Sequence, residues 1–289
     1  MAKSPAHRFG QVIGELLESV VRPQLETFCR QQRLYLDHQK KIRPARPGKK
    51  VSWMDQYGNT HDLDFVIERD GTDQKTGTPL AFIETAWRRY TKHSRNKAQE
   101  IQGAILPLAE KYEWNNPFLG TILAGVFTDG SLDQLRSMGF NVLYFPYESL
   151  VAAFESEGVN IAFDEKTPRQ IFSKTTKQIE HTSVAVMAKI RAHLVRTNQA
   201  AITGFFAALN KRLGRRVTRV VIIPMYGRVN EFETLEDAVQ FLDRHVVTEG
   251  SGEFRKYDIR IEFSNGDKVD ACMEAKDKVR EFLAFVIRQ

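Results

Sequence analysis

The chain has 289 residues, 42% hydrophobic and 27% charged, with a formal net charge of +6 and two widely separated cysteines, Cys29 and Cys272. That length holds one large core or two modest ones. The cysteine usage counts against a disulfide scaffold or a cysteine-ligated zinc site and suits a reducing, cytoplasmic setting, while the basic balance favours an anionic partner.

Residues 5–34 place Val12, Ile13, Leu16, Leu17, Val20 and Val21 at helical spacing, which predicts a long amphipathic helix opening at Pro5. Pro23 predicts a kink in it, or the start of a second helix. Residues 37–50, DHQKKIRPARPGKK, read as a basic loop broken by Pro44, Pro47 and Gly48. Such a loop is either a solvated connector or an arm for phosphates. Three strands follow as an antiparallel meander over 51–57, 61–68 and 80–87, with turn chemistry at Gly58-Asn59 and from Asp70-Gly71 to Pro79. Ser94 opens a helix whose face is Ala98, Ile101, Ile105 and Leu108, with Pro107 inside it. An apolar strand at 119–128, a short helix at 129–138, a strand at 140–146 and a helix at 147–157 complete an α/β core with a central mixed sheet flanked by helices.

The polar stretch 158–180 reads as a bridge, dividing the chain into a domain over 1–165 and a module over 166–289. The module is expected to hold one helix over 181–213 and then a small α+β fold. Its parts are strand 217–224, helix 234–247, strand 257–263, the Asn265-Gly266 hairpin turn, strand 268–273 and helix 274–287. No internal repeat is evident. MAKSPAHRFG lacks an apolar leader core and no run approaches 18 apolar residues, so no membrane span is expected. No Gly-rich phosphate loop, G-x-S-x-G or H-E-x-x-H pattern occurs, which counts against a Walker ATPase, a serine hydrolase and a zinc hydrolase.

The chemistry concentrates in residues 61–100. Asp64 on one strand and Glu84 on the next can converge at one sheet edge, and Asp62 is expected on the same face as Asp64. They sit among Phe65, Val66, Ile67, Ala81, Phe82 and Ile83. Clustered acids in apolar strands are costly unless a cation neutralises them. Mg²⁺, with Mn²⁺ as the alternative, takes oxygen ligands and only one or two carboxylates. Arg88, Arg89, Lys92, His93, Arg95 and Lys97 follow at once, either as a solvated helix start or as a phosphate clamp, with Trp87 and Tyr90 interleaved for packing or stacking. Lys211, Arg212, Arg215, Arg216 and Arg219 form a second basic cluster.

The LDFVIE and FIETAW segments resemble the active-site region of the PD-(D/E)xK nucleases, the restriction-endonuclease-like superfamily, over roughly residues 9–157. The resemblance implies a restriction-endonuclease-like core and a Mg²⁺-dependent DNA endonuclease of the restriction or phage-defence kind. It implies double-stranded DNA as partner and a homodimer. Asp64 and Glu84 would be the metal ligands, Glu15 the helical acid that assists them, and Gln99 the amide on the following helix. The family pattern has lysine where this chain has Ala86. That lysine sets a positive charge beside the attacking water and the developing phosphorane. Three readings stay open. The lysine has been replaced, leaving an inactive enzyme; Lys92 or Lys97 reaches back in its place; or the domain is a pseudo-nuclease that binds nucleic acid without cutting it.

Overall fold

One unbroken helix, α1 (Pro5–Gln32), continues through Pro23, so no second helix starts there. Phe9, Ile13, Leu16, Leu17, Val20, Leu25 and Phe28 are buried on both sides of the proline. That continuous apolar stripe outweighs the ~3 kcal/mol that an interior proline costs. The computed structural model describes residues 5–287 apart from Pro47, 91–93, 165–166, Arg215, Tyr226, 246–254 and Asn265. Lys92, His93, Arg215 and the Asn265 turn position therefore lie outside the described residues.

The chain forms two units, Met1–Leu209 and Asn210–Gln289. In the first, β1 (Tyr35–His38), β4 (Phe65–Arg69), β5 (Thr78–Arg88), β6 (Phe118–Gly125) and β7 (Asn141–Pro146) form a sheet in the order β1-β4-β5-β6-β7. The β1–β4 and β4–β5 pairs are antiparallel, and β5–β6 and β6–β7 are parallel. The expected mixed sheet is therefore present. Both antiparallel pairings of the expected meander occur, but in two sheets, because β2 (Val51–Met54) and β3 (Thr60–Leu63) pair as a separate two-stranded ribbon. Period two divides the faces of β5. Trp87 meets Phe9 of α1 and Tyr147 of α4 (Tyr147–Glu155) on one side. On the other, Phe82 and Ala86 share a core with Ala98, Ile101, Ile105 and Leu108 of α2 (Ser94–Lys111) and with Leu132 and Leu135 of α3 (Asp129–Ser137).

Lys40, Lys49 and Lys50 of the loop after β1 are exposed, as a solvated or phosphate-binding arm would have them, but two of its arginines turn inward. Arg43 is buried, with its Nη1 2.9 Å from Asp37 Oδ2 and its Nη2 2.9 Å from Glu68 Oε2. It also donates to the carbonyls of Thr72 and Lys75. Arg46 grips Asp37 and donates to four carbonyls, those of His38, Lys41, Gly48 and Lys50. Two cations and two anions thus close a neutral buried network that rivets the loop to β1 and β4. Buried charges persist only when paired and hydrogen-bonded like this.

The polar stretch taken as a bridge contains α5 (Arg169–Glu180), followed by α6 (Val184–Thr197) and α7 (Gln199–Leu213) in place of a single helix. The break falls at Asn198, the C-cap of α6. Phe172 of α5 packs on Phe9 and Phe163, and Phe205 of α7 packs on Phe118. These ring contacts tie 169–209 to the first unit, so the division falls after Leu209 and not after 165.

The second unit repeats one strand–strand–helix pattern. The first copy is β8 (Val217–Pro224), β9 (Asn230–Phe232) and α8 (Leu235–Arg244); the second is β10 (Tyr257–Phe263), β11 (Lys268–Met273) and α9 (Lys276–Ile287). The antiparallel order β11-β10-β8-β9 sets the copies about the central β8–β10 pair, with Val220 facing Ile261. Few residues match between the copies beyond Phe241-Leu242 and Phe282-Leu283, which hid the repeat in the sequence. Among the described residues no helix is long and apolar enough to cross a membrane.

Candidate active site

The two strand acids are cross-strand neighbours. Phe65 of β4 pairs with Ile83 of β5, so the next position outward sets Asp64 against Glu84. The chain bends at Asp64 between β3 and β4, passing there from the small ribbon to the main sheet. That bend overturns the expectation that Asp62 and Asp64 share a face. Asp62 stays with the ribbon, where its carboxylate takes Lys50 and the Ser52 hydroxyl.

Asp64 is held from two sides. Its Oδ2 accepts from the Thr85 N–H at 2.8 Å and from the Thr85 hydroxyl. Its Oδ1 accepts from Gln39 Nε2 at 3.1 Å. Burial still pushes the Asp64 carboxyl above its usual range, against the lowering effect of the Thr85 bonds. Glu84 goes further, pushed up to about 8 by burial first and by Asp64 second, with Lys97 pulling the other way. Its Oε1 lies 3.7 Å from Lys97 Nζ, and its Oε2 is buried with no hydrogen-bond partner. Thr121, in register with Glu84 on β6, also has a buried hydroxyl without a partner. A buried carboxylate oxygen left open beside a second acid is an expensive arrangement in a protein interior.

Lys97 reaches this pair from the first turns of α2 and is only 17% exposed. It stands one turn before buried Ile101, so its stem follows the sheet-facing side of the helix. Gln99 falls on the outer side and is exposed; it does not join the acids. Ala86 is buried, two residues along β5 from Glu84 and on the same face, packed with Phe82, Ala98 and Leu123. A hydrophobic core occupies the place beneath it, and the cation near the acids comes from the helix.

Glu15 is exposed and pairs with Lys40 at 3.4 Å. Glu18, one turn later, is half-buried, and its carboxyl is raised by burial and then by Asp64, which places it within the electrostatic reach of the site. Both glutamates lie beside the apolar stripe, and only the rotation of α1 against the sheet distinguishes them.

Of the expected phosphate clamp, Arg88 pairs with Glu100 at 3.5 Å and donates to the Trp87 carbonyl. Arg89 lies over the rings of Tyr90 and Phe172, 4.2 and 4.6 Å from their centroids. Arg95 is exposed. Trp87 is a packing residue, and the Tyr90 hydroxyl donates to the Asp164 carbonyl. In the second basic cluster, Arg219 is engaged by Glu231 and Glu262.

Among the described residues no group of three or more His, Cys, Asp or Glu side chains is arranged to hold a metal ion. Two adjacent carboxylates with one oxygen open nonetheless suit a hard divalent cation, which takes one or two protein carboxylates and fills its remaining positions with water or substrate oxygens. These oxygen donors are of the kind that Mg²⁺ or Mn²⁺ takes.

No protein-family profile matches the chain, and no curated protein matches it. A solved crystal structure, of a protein of unknown function, aligns with 65% of this chain and 98% of its own at 11% identity. With a TM-score of 0.30, that likeness is too slight to bear on fold or function.

Proposed function

We propose that the chain is a metal-dependent endonuclease that hydrolyses phosphodiester bonds in double-stranded DNA, of the restriction or phage-defence kind, with its catalytic lysine supplied by α2. The observation that carries this reading is Lys97 Nζ at 3.7 Å from Glu84, beside Asp64, in a buried pocket of acids with one open oxygen. Asp64 and Glu84 hold Mg²⁺, and Thr85 and Gln39 fix the orientation of Asp64. A bound Mg²⁺ supplies Lewis-acid polarisation of the scissile phosphate and a lowered pKa for the attacking water. Lys97 sets a fixed positive charge where negative charge develops in the transition state. Glu18 adds to the anionic field on the α1 side. A homodimer, with one site for each strand, belongs to the same reading.

This assignment favours a lysine that has moved to the helix over a lysine lost at position 86. Ala86→Lys is therefore expected to leave cleavage of plasmid DNA unchanged or lower, since Lys97 already serves the acids and a lysine at 86 must displace core packing. A gain of tenfold or more on that substitution would restore the reading of an inactivated enzyme. Wild-type protein that binds DNA but never cuts it, with Mg²⁺ or with Mn²⁺, would favour the pseudo-nuclease.

The raised carboxyl of Glu84 gives a second test. Mn²⁺ binding is expected to tighten ~tenfold per pH unit between pH 6 and 8 and to level off above, because Glu84, pushed up to about 8, must release a proton to the metal. The sign for the metal-free chain is the opposite one. The folded state keeps this proton where the unfolded chain has lost it, so stability is full below the ordinary glutamate range and falls as pH rises toward 8. Titration calorimetry with Mn²⁺ at pH 6, 7, 8 and 9, paired with melting curves, checks both. An affinity that ignores pH would remove Glu84 from the ligand set.

A further inference from the structure

Beside the acids, a cavity of about 390 Å³ opens between α1 and the C-terminal end of β5. Thr85, Ala86 and Arg88 of β5, Lys97 of α2, and Gly10, Gln11 and Gly14 of α1 line it. Its volume sits at the small end of ligand pockets, which run to ~300–1,000 Å³. Lys97 belongs both to the cavity and to the acid pair, so the two spaces adjoin through its side chain.

The wall from α1 is unusual. A glycine inside a helix costs ~1 kcal/mol against alanine, and here two stand one turn apart on the same side. Neither is required by packing. A Cβ at Gly14 would meet nothing within 4 Å, and one at Gly10 would make only an ordinary 3.8 Å contact with Trp87 Cδ1. Neither has a positive φ. The helix thus carries a stability penalty that the fold does not need. The same row of α1 continues from Gly14 to Glu18, whose carboxyl senses Asp64. A bare strip of helix backbone therefore lines the cavity, and Thr85 on the facing strand both lines it and hydrogen-bonds Asp64.

The opposite wall is cationic. Lys97 and Arg88 share one counterion, Glu100, at 3.4 and 3.5 Å, and its side chain is 59% exposed. A solvated carboxylate of that kind is readily replaced by a phosphate. We propose that this cavity seats the sugar and phosphate of the nucleotide next to the scissile bond. Gly10 and Gly14 are kept free of side chains so that the strand lies against the α1 backbone, and Arg88 and Lys97 take its phosphate in place of Glu100. The inference rests on the phosphodiesterase reading above and adds to it a substrate seat made by α1.

The test uses the full chain with Gly14→Ala, Gly14→Glu and Gly14→Lys. All three replace glycine by a good helix former, so each is expected to raise the melting midpoint by about 2–4 °C. Affinity for a fluorescein-labelled random-sequence DNA duplex, measured by anisotropy in Ca²⁺, is expected to fall at least tenfold for Gly14→Glu and much less for Gly14→Lys. Mn²⁺ binding at pH 9 is expected to stay near wild type in all three. Duplex affinity unchanged in Gly14→Glu would overturn the seat, as would an equal loss in the Glu and Lys variants, which marks simple obstruction with no phosphate nearby. If wild-type protein neither binds Mn²⁺ nor cuts DNA, the phosphodiesterase reading fails first and the seat falls with it. If it does both and Gly14→Glu still binds DNA normally, only the seat fails.

Discussion

Lys97→Ala is expected to lower the DNA cleavage rate ~10²- to 10³-fold, about 3–4 kcal/mol of barrier, the range for removing one preorganised charge or donor from a buried site. The lysine is 17% exposed and 3.7 Å from Glu84, so water does not replace it readily. Its loss has a second consequence. Lys97 lowers the Glu84 carboxyl, and without it that carboxyl rises above about 8 and loses metal more easily at neutral pH. Rates are therefore compared at pH 9, above the value of about 8 that Glu84 reaches in the intact protein, where Mn²⁺ competes best with the proton. A structural role for Lys97 would predict a lowered melting point. The proposed role predicts an unchanged melting point and much of the rate kept by Lys97→Arg, which retains the charge. Cleavage by Lys97→Ala at the wild-type rate would sink the assignment.

Arg43→Ala is expected to destabilise the first unit by about 3–5 kcal/mol, a large share of the ~5–15 kcal/mol that holds a typical domain. The substitution leaves Glu68 buried with little beyond the Gly77 N–H to satisfy it, and leaves Asp37 with Arg46 alone. The carbonyls of Thr72 and Lys75 lose their donor as well. Removing both partners is a different matter. Arg43→Met with Glu68→Leu takes away the unpaired charge and is expected to recover much of the loss, because apolar pairs of similar volume often match a buried ion pair. Urea unfolding followed by tryptophan fluorescence reads this unit by itself, since Trp53, Trp87 and Trp114 all lie within it. A loss below 1 kcal/mol for Arg43→Ala would show that the network contributes nothing to the fold.

The two results bear on how differently the sequence displays a site and a scaffold. The pairing of Asp64 with Glu84 was legible because two short apolar runs joined by one turn region read as antiparallel neighbours, with an acid at the outer end of each. Phe65 opposite Ile83 fixes it, and the acids follow. Lys97 was only one of two lysines able to reach back, and nothing local separates it from Gln99 or Arg95. Its role depends on which side of α2 meets the sheet. Glu18 and Glu15 pose the same ambiguity on α1, where one turn of helix decides between a half-buried acid and an exposed one. Thr85 gave no signal at all, since its hydroxyl matters only because Asp64 bends toward it.

The sequence by itself determined the order of most helices and strands, the mixed sheet and the pair of acids. Each of these is written in continuous apolar runs, in a 3.6-residue periodicity or in a short turn. Only the tertiary structure decided that the strand through Asp64 changes sheets, that the basic loop turns Arg43 and Arg46 inward, that 169–209 belong to the first unit, and that a helix lysine stands beside the acids where Ala86 cannot act. Those outcomes rest on contacts between residues far apart in the chain. A basic loop looks solvated until Glu68 and Asp37 arrive to neutralise Arg43, and no local signal in α2 tells that Lys97 stands beside Glu84.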